Sequence, residues 1–561
     1  MPTPTSASVV APVSSALTRG KACKMCRQRK RRCDAGKPIC AACIKVGLSF
    51  HCEYDDEHAA RPKKQSHLKI LEGKIGELEG HIQLLETTKR AAVEEPAPIG
   101  LPSTFQTPRP RPTLPLDGVG GRHPSIPPLI QDPHEDAWVQ QGTVPPNIRD
   151  DLISVFVRYR WQFAFEFNVP RFINSLKLPP SHPNAPHPAL LNAIFLNGCF
   201  YSQTRLRRYE SVFYRRTFKE LARSLANVDR LFDFLRASAL AACYFFGAGR
   251  VVEGYTCLSA ALRFAIGCGF HTLSSLSLDT GSPLMPPCTD LVELGDRINT
   301  FWTLFCLDRV GSLVSGLPYT IGDEKITTIW PCPWDCYKDG AKMSQPAGSI
   351  MSMYDPSLLL PPCQSENYQT LRAKSVALLH RASILSAQAR TADSVGEPLR
   401  REILSTCKAT SVFAGTLPPF CVQADHIEDP DAVRSILAIA FTAAHAAVIQ
   451  IYGIFAQDNP AAHDRQLKSA RAAMVVVKEM RAAQFSYIPI FLGWSLTPVH
   501  EFLVKEKLRH DALGDKEGAR SLQTDIDILL HTLKRVGELF PVAATVQASI
   551  LEKNVLSLES A

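Results

Sequence analysis

The chain has 561 residues, more than one compact core usually holds, so two or three domains are expected. Hydrophobic residues make up 45% of it and charged residues 21%, which is typical of a soluble globular protein. The formal net charge of +8 is concentrated in residues 19–52, where ten Lys and Arg accompany one acid, Asp34, so the rest of the chain is close to neutral.

The start of the chain and the placement of its 17 cysteines bear on the compartment. Residues 1–18 are small and polar, which predicts disorder, and they lack the positive and apolar regions of a secretory signal. Six cysteines crowd between residues 23 and 52, and the other eleven are scattered through apolar stretches, where a free cysteine behaves as a small hydrophobe. We therefore expect a reducing intracellular compartment rather than a secreted, disulfide-built protein.

The six clustered cysteines have a spacing typical of metal ligands. They are separated by 2, 6, 6, 2 and 8 residues: Cys23, Cys26, Cys33, Cys40, Cys43 and Cys52. Two CxxC pairs each place two thiolates within reach of one tetrahedral zinc ion. Because two separate sites need four thiolates each, six cysteines can serve two ions only if two thiolates are shared. The spacing predicts a binuclear zinc cluster whose metal supplies much of the folding free energy of residues 19–54.

Two other interpretations of the cysteines are weaker. A redox CxxC pair or scattered buried cysteines would not account for six cysteines in so short and basic a segment. An iron–sulfur cluster commonly uses four thiolates, so it fits six less well than zinc does.

Three features resemble the fungal zinc binuclear cluster domain: the cysteine spacing, the Lys37-Pro38 step before Cys40, and the basic run Arg27-Gln28-Arg29-Lys30-Arg31-Arg32. The resemblance implies that Cys23 and Cys40 bridge the two ions. The first ion would take Cys23, Cys26, Cys33 and Cys40, and the second Cys23, Cys40, Cys43 and Cys52. It also implies that Pro38 lies in the loop between the half-motifs, often after a cis peptide bond.

The basic run inside this scaffold predicts double-stranded DNA as a partner. We expect the residues after Cys26 to form a short helix whose N-terminal end approaches the major groove. By the resemblance, Lys30 is the base-reading lysine and Arg29 its basic neighbour, which implies CGG-like half-sites, since guanine presents two acceptors in that groove. Phosphate contacts are expected from the remaining cations: Lys24, Arg27, Arg31 and Arg32.

A heptad pattern in residues 68–89 follows a basic linker at 55–67. Its apolar positions are Leu68, Leu71, Ile75, Leu78, Ile82 and Leu85. Ile at a positions with Leu at d positions favours a parallel two-stranded coiled coil, and hence a homodimer. An isolated amphipathic helix is the alternative, because Gly73, Gly76 and Gly80 weaken the helix and the pattern is short.

The remainder of the chain changes texture near residue 150. Residues 90–149 are predicted to be a disordered Pro-rich linker, since 13 prolines fall between 94 and 147. From 150 to 561 apolar residues recur at helical spacing, which predicts a large all-α domain with a loop-rich stretch near 318–365. Examples of the predicted helical segments are 151–167, 189–201, 205–226, 251–266, 291–307, 371–392, 432–455 and 521–539.

Within this helical body, residues 301–309, Gly316-Leu317-Pro318 and residues 188–193 resemble the fungal-specific transcription factor regulatory domain. The resemblance implies intramolecular restraint, a ligand response or contact with transcriptional coregulators. We interpret Asp308-Arg309 as an ion pair of the helical core rather than a catalytic pair.

Other features argue against catalysis and against a membrane span. The sequence shows no nucleophile elbow, phosphate loop or dinucleotide fingerprint, and His500-Glu501 lacks the second histidine of a metalloprotease motif, so we expect no enzyme. The apolar stretch 436–455 is long enough to suggest a span, but its polar residues favour a buried core helix, so no membrane partner is expected.

The sequence thus predicts a mainly α protein with a zinc binuclear cluster module, a short coiled coil, a Pro-rich linker and a large all-α regulatory domain. The predicted function is zinc-dependent, sequence-specific regulation of RNA polymerase II transcription in the nucleus. One rival is an interaction cofactor that keeps the zinc scaffold but binds proteins, which a salt-insensitive DNA affinity would reveal. Another is a thiolate-metal enzyme, which is disfavoured because six thiolates leave two zinc ions no open coordination position.

Overall fold

The computed structural model describes residues 21–54, 137–163, 165–202, 204–279, 281–339, 348–355, 367–392, 394–418, 420, 430–483 and 489–540. The regular elements within these ranges are helices, and the only strand-like pairing there is one bridge between Ser282 and Met285. The chain divides into two compact units, Met1–Arg109 and Pro110–Ala561. The predicted fold class, a small cysteine module and a large all-α domain, is confirmed.

The described part of the first unit, residues 21–54, is built on its cysteines. It contains helix α1 (Lys24–Gln28), helix α2 (Ala41–Lys45) and a 3₁₀ turn at Ser49–His51. Five of the six cysteines are buried together, with only a few small or partly buried side chains packed on them. Because so small a core buries little apolar surface, it needs a further source of folding free energy.

The described residues of the second unit form fifteen helices. They are α3 (Ala137–Gln141), α4 (Pro146–Tyr159), α5 (Val169–Ser175), α6 (Pro188–Tyr201), α7 (Glu210–Asn227), α8 (Leu231–Gly247), α9 (Val251–Gly267), α10 (Leu291–Ser315), α11 (Trp334–Asp339), α12 (Tyr368–Thr391), α13 (Glu397–Thr416), α14 (Pro430–Tyr452), α15 (Pro460–Ala483), α16 (Leu492–Ala512) and α17 (Lys516–Leu539). The eight predicted helical segments each fall on one of these helices. In the loop-rich stretch near 318–365, the described residues contain only α11 and two 3₁₀ turns.

The helices form two groups that share one core. Helices α4 and α6 to α10 pack on one another, and α12 to α17 form the second group around α14. Helix α10 joins the groups through its contacts with α12 and α16. Helix α14 is long and apolar enough to cross a membrane, but 89% of its most apolar window is buried inside the protein. It packs as the core helix that the sequence predicts for this stretch.

Helix α10 runs eight residues beyond its predicted end at residue 307. Its first turn is capped by Asp290, whose side chain accepts the amide of Glu293 at 2.8 Å. It ends where Gly316 adopts a left-handed φ of 68°, which glycine tolerates without strain. The charged pair Asp308-Arg309 breaks the apolar pattern in the sequence, but both side chains are buried in the structure.

Asp308 and Arg309 form a buried ion pair in the helical core and bind the segment that follows α10. The Arg309 guanidinium lies 2.9 Å from Asp308 and 2.8 Å from Asp323, and it also donates to the Ile321 carbonyl. Asp308 in turn accepts the Thr320 amide and hydroxyl. These contacts pair both buried charges, although the buried Arg309 Nε has no hydrogen-bond partner among the described residues, and they make the pair a structural element of the core.

The structure corrects the predicted end of the Pro-rich linker at residue 149. Helix α3 lies inside that stretch, and its Trp138 is buried against Tyr209 and Phe213. The Arg216 guanidinium donates to the Val139 carbonyl at 3.0 Å. The prediction used the average proline content of residues 90–149, but residues 137–141 contain no proline and form a helix. The single tryptophan of this helix packs it against the domain. The all-α domain therefore begins at or before Ala137.

Candidate metal centre and nucleic-acid interface

Two halves of the cysteine module repeat the same local structure. Cys23 and Cys40, which are 17 positions apart, stand at the N-terminal ends of α1 and α2 with extended backbone ψ angles of 156° and 148°. The Cys23 Sγ accepts the amide of Cys26 at 3.4 Å, so the thiolate acts as the helix cap that a serine or aspartate usually provides. Helix α1 therefore begins at Lys24, before Cys26, which corrects the prediction that the helix follows Cys26.

Both helices also end in the same way. After α1, the amides of Lys30 and Arg31 donate to the carbonyls of Arg27 and Cys26, at 3.3 and 3.0 Å. This pair of bonds is the Schellman motif, which places its central residue in the left-handed region, and Lys30 has a φ of 49°.

The equivalent bonds end α2. The amides of Gly47 and Leu48 donate to the carbonyls of Ile44 and Cys43, at 3.1 and 3.0 Å. Gly47 has a φ of 68°, so it occupies the position that Lys30 occupies in the first half. One half therefore uses the residue best suited to this backbone, and the other keeps a lysine there.

The structure brings the six predicted ligands together as two overlapping groups. In each group the four Sγ atoms lie within 4.8 Å of one another. The groups are Cys23, Cys26, Cys33 and Cys40, and Cys23, Cys40, Cys43 and Cys52. They share Cys23 and Cys40, the two residues that the family resemblance implies as bridges.

The sulfur spacing and donor chemistry fit zinc. The Sγ of Cys23 lies 3.8 Å from those of Cys40 and Cys43, and the Sγ of Cys26 lies 3.7 Å from that of Cys40. A regular tetrahedron with Zn–S bonds of about 2.3 Å has S–S edges of about 3.8 Å. All six donors are thiols, which soft or borderline metal ions prefer.

Backbone amides and two side chains that the sequence pattern did not single out support this arrangement. The Cys40 amide donates to the Cys52 Sγ at 3.3 Å, and this hydrogen bond lowers the pKa of the Cys52 thiol. The Asp34 carboxylate accepts the Ala41 amide at 2.9 Å at the start of α2. The Tyr54 hydroxyl donates to the Gly36 carbonyl at 2.9 Å. The Lys37–Pro38 bond between the halves is cis, as the resemblance implies.

The six predicted DNA-contacting residues occupy different positions around α1. Lys24 and Arg27 lie on the helix and have partners in the module: the Lys24 Nζ is 3.4 Å from Glu53, and Arg27 donates to the Ala22 carbonyl at 2.8 Å. The other four lie beyond the C-terminal end of α1 and are exposed: Arg29, Lys30, Arg31 and Arg32. Their charged groups have no hydrogen-bond or ion-pair partner among the described residues.

The repeat shows that only one half presents a cationic edge. The arginines at 27, 29 and 31 correspond, 17 positions later, to Ile44, Val46 and Leu48. Ile44 and Val46 are exposed, so the second half shows hydrocarbon where the first shows guanidinium. The module therefore has one face suited to phosphates and guanine edges.

The six predicted dimerisation residues lie outside the described residues: Leu68, Leu71, Ile75, Leu78, Ile82 and Leu85. The segments 55–67 and 90–136 also lie outside them. The coiled coil stays a prediction. Among the described residues, the cysteine groups are the side-chain clusters with metal-ligand geometry.

Two protein families match the chain, one for each unit. The fungal Zn(2)-Cys(6) binuclear cluster domain matches residues 21–61, and the fungal specific transcription factor domain matches residues 153–410. No solved structure gives a significant match.

The curated relatives carry names of transcription regulators. The citrinin biosynthesis transcriptional activator mrl3 of Monascus ruber is 22% identical over 342 residues, which cover 56% of this chain and 64% of that protein. The transcription regulator galc of Aspergillus niger is 24% identical over 404 residues, with 56% and 47% covered. The azaphilone cluster-specific transcription factor azaR of Aspergillus niger is 43% identical over 60 residues, with 11% and 12% covered. The chain matches less than two thirds of the length of each of these relatives.

Proposed function

Because the chain belongs to the fungal zinc binuclear cluster transcription factors, DNA-binding regulators rather than enzymes, we propose that it reads CGG-like half-sites with Lys30 and Arg29. Two zinc ions would be held by the six cysteines, with Cys23 and Cys40 bridging. The overlapping sulfur groups support this arrangement, since they contain two four-thiolate sets with two shared members.

The observation that carries the DNA-reading proposal is the position of Lys30. It follows the C-terminal end of α1, so the groove would meet this end of the helix and not the N-terminal end that the sequence predicted. Lys30 is exposed and has a left-handed backbone that an L-residue adopts at a cost in free energy. Glycine in the twin position of α2 shows that the fold itself does not require a side chain there. Retaining lysine at a strained position is typical of a residue kept for function.

The neighbouring cations supply affinity and orientation in this proposal. Arg31 and Arg32 are exposed beside Lys30 and suit phosphates, and Arg27 and Lys24 extend the same charged edge along α1. Cations at the C-terminal end of a helix also stabilise the helix dipole, so the DNA-free module tolerates the crowded charge.

The wider proposal concerns assembly and location. The heptad residues 68–85 would join two chains in a parallel coiled coil, so that two modules face two half-sites. We propose nuclear localisation, as the names of the relatives as transcription regulators support. The helical unit would contact transcriptional coregulators, a role supported by its family match.

A binding assay on the zinc-loaded full chain tests the DNA-reading proposal. Lys30→Ala should reduce the preference for a CGG duplex over a scrambled one by roughly 5- to 150-fold, which corresponds to about 1–3 kcal/mol for one base contact. Weak, salt-sensitive binding should remain, because the phosphate contacts are intact. Lys45→Ala is the matched control, since Lys45 is an exposed lysine of α2 outside the basic run. Unchanged selectivity in Lys30→Ala would refute the assignment.

Removal of the metal tests the cluster independently. A chelator should abolish DNA binding and the helices of the module, and zinc should restore both, because metal binding and folding are coupled. Metal analysis should return two zinc ions for each chain. A chain that keeps its DNA affinity after complete zinc removal would contradict the proposal.

A further inference from the structure

Helix α7 of the second unit carries a row of exposed cations. Arg215, Lys219 and Arg223 are spaced four residues apart, so they lie on one face of the helix. The Arg223 side chain is 68% exposed, and Arg215 and Lys219 are exposed as well. We call these three residues the cationic stripe.

Acids of the same helix pair with only one of the three stripe cations, Arg223. Glu210 is buried, and its carboxylate accepts the Tyr244 hydroxyl at 2.7 Å. Glu220 is only 15% exposed and lies 3.9 Å from Arg223. Arg215 and Lys219 have no ion-pair partner in the described part of the chain. Among the described residues, the outward face of α7 therefore carries two cations without an ion-pair partner and a third, Arg223, whose partner Glu220 is only slightly exposed.

Such a row is unfavourable for the helix by itself. Like charges four residues apart repel and destabilise a helix, and the stripe contains two such pairs. An anionic partner would reverse the sign of this interaction. Repulsion between the three cations does not by itself indicate a ligand. Because Glu210 is buried, however, the exposed face of α7 is mainly cationic and is complementary to a polyanion.

We propose that the cationic stripe binds phosphates of the DNA that flanks the half-site. This inference rests on the proposed DNA-binding function of the cysteine module. Both units belong to one chain, so a duplex held by the first is at a raised effective concentration for the second. The stripe then adds affinity without adding sequence information.

The geometry favours a phosphate backbone over an acidic protein segment. Cations four residues apart repeat every ~6 Å along the helix, close to two steps of ~3.4 Å in the rise of phosphates along one strand. Between Arg215 and Arg223 the other exposed residue is Ala222. The next exposed large apolar side chain, Leu225, comes after the last cation. Protein interfaces usually centre on buried apolar or aromatic anchors, which the stripe lacks.

The test compares salt dependence in zinc-loaded full chains. One variant replaces the stripe by Gln (Arg215→Gln, Lys219→Gln and Arg223→Gln). The control makes the same change in charge on α13 (Arg400→Gln, Arg401→Gln and Lys408→Gln), whose three cations are exposed. Affinity is measured on a long duplex with flanking DNA and on a short duplex trimmed to the half-site.

Three phosphate contacts should change the slope of log affinity against log salt by about 2.7. Between about 50 and about 200 mM salt, the unaltered chain should then lose roughly 40-fold more affinity for the long duplex than the stripe variant does. The short duplex should show no such difference, and the α13 control should behave as the unaltered chain. Half-site selectivity should be the same in all three proteins.

Two results would overturn the inference. The first is an equal slope for the stripe variant and the unaltered chain on the long duplex. The second is an equal effect of the α13 control, because the cause would then be net charge. Neither result bears on the DNA-reading proposal, because that proposal is tested by the half-site selectivity of Lys30→Ala. Unchanged selectivity in Lys30→Ala would refute the DNA-reading proposal and is a separate outcome.

Discussion

The left-handed backbone at Lys30 allows its structural and functional contributions to be separated. A Lys30→Gly change removes the side chain and relieves the strain, whereas Lys30→Ala removes the charged group and keeps the strain. An L-residue in the left-handed region costs about 1–2 kcal/mol, and a glycine avoids this cost. Part of the benefit is offset, because glycine has more conformational freedom to lose when the chain folds. We expect Lys30→Gly to stabilise the zinc-bound module by about 1 kcal/mol.

The twin position supplies the reverse experiment. A Cβ on Gly47 would meet no atom within 4 Å, so Gly47→Lys changes only the backbone preference and the exposed charge. It should destabilise the module by about 1 kcal/mol, the opposite of Lys30→Gly. The two substitutions give each half the residue that the other half has at this position.

Zinc release from the full chain, titrated with a chelator and followed with a metal indicator, measures both effects. One kcal/mol is about a fivefold change in the equilibrium constant for release. Lys30→Gly should resist the chelator about fivefold better than the unaltered chain, and Gly47→Lys about fivefold less well. Lys30→Gly and Lys30→Ala should both lose half-site selectivity. Equal zinc retention in these two variants would refute the account of strain at Lys30.

Three further predictions concern the helical unit. Gly198→Ala should lower the stability of the helical unit by about 1–3 kcal/mol, because the new Cβ would lie 2.6 Å from a carbonyl oxygen of α4. Gly415→Ala is the control, since a Cβ there meets open space and should be neutral or stabilising. Thermal unfolding of the two variants measures the difference. Burial lowers the pKa of His445 to about 4, so the unfolded state, with a pKa near 6.5, binds more protons between those values. Stability should therefore fall by about 3 kcal/mol as pH drops through this window, and His445→Gln should flatten that part of the denaturation profile while the exposed His531→Gln does not. Arg309→Leu removes the cation of Asp308 and leaves Asp323 with only the more distant Arg381, so it should cost about 3–5 kcal/mol, with faster hydrogen exchange in residues 316–323. Normal exchange there would contradict the role of Arg309 in holding this segment.

Short-range features were legible in the sequence. The cysteine spacing predicted the overlapping sulfur groups, because two cysteines separated by two residues can both reach one ion in a tight local turn. Helical periodicity located eight of the fifteen helices described in the second unit, since an apolar stripe facing a core repeats along the chain itself. The burial of α14 was predicted in the same way, from an apolar stretch interrupted by a few polar residues.

Other features depended on contacts between distant residues. The burial of Trp138 needs Tyr209 and Phe213, which lie about seventy positions away, so a composition average over the Pro-rich stretch misplaced the boundary of the domain. The burial of Arg309 inside α10 depends on Asp323, fourteen positions later, because a buried charge is tolerated only with a partner. The inward turn of Glu210 likewise depends on the Tyr244 hydroxyl.

The sequence by itself determined that six thiols and a basic run share one short segment, and that the rest of the chain is helical. These properties follow from spacing and periodicity, which are local. Only the tertiary structure decided that Lys30 ends α1 in the left-handed backbone that Gly47 adopts in the twin half, and that three cations of α7 face outward while its Glu210 is buried. The packing of α7 on its neighbours joins groups that are far apart along the chain, such as Glu210 and Tyr244. The bonds that end α1 are local, but the sequence carries no glycine at residue 30 to mark the left-handed position.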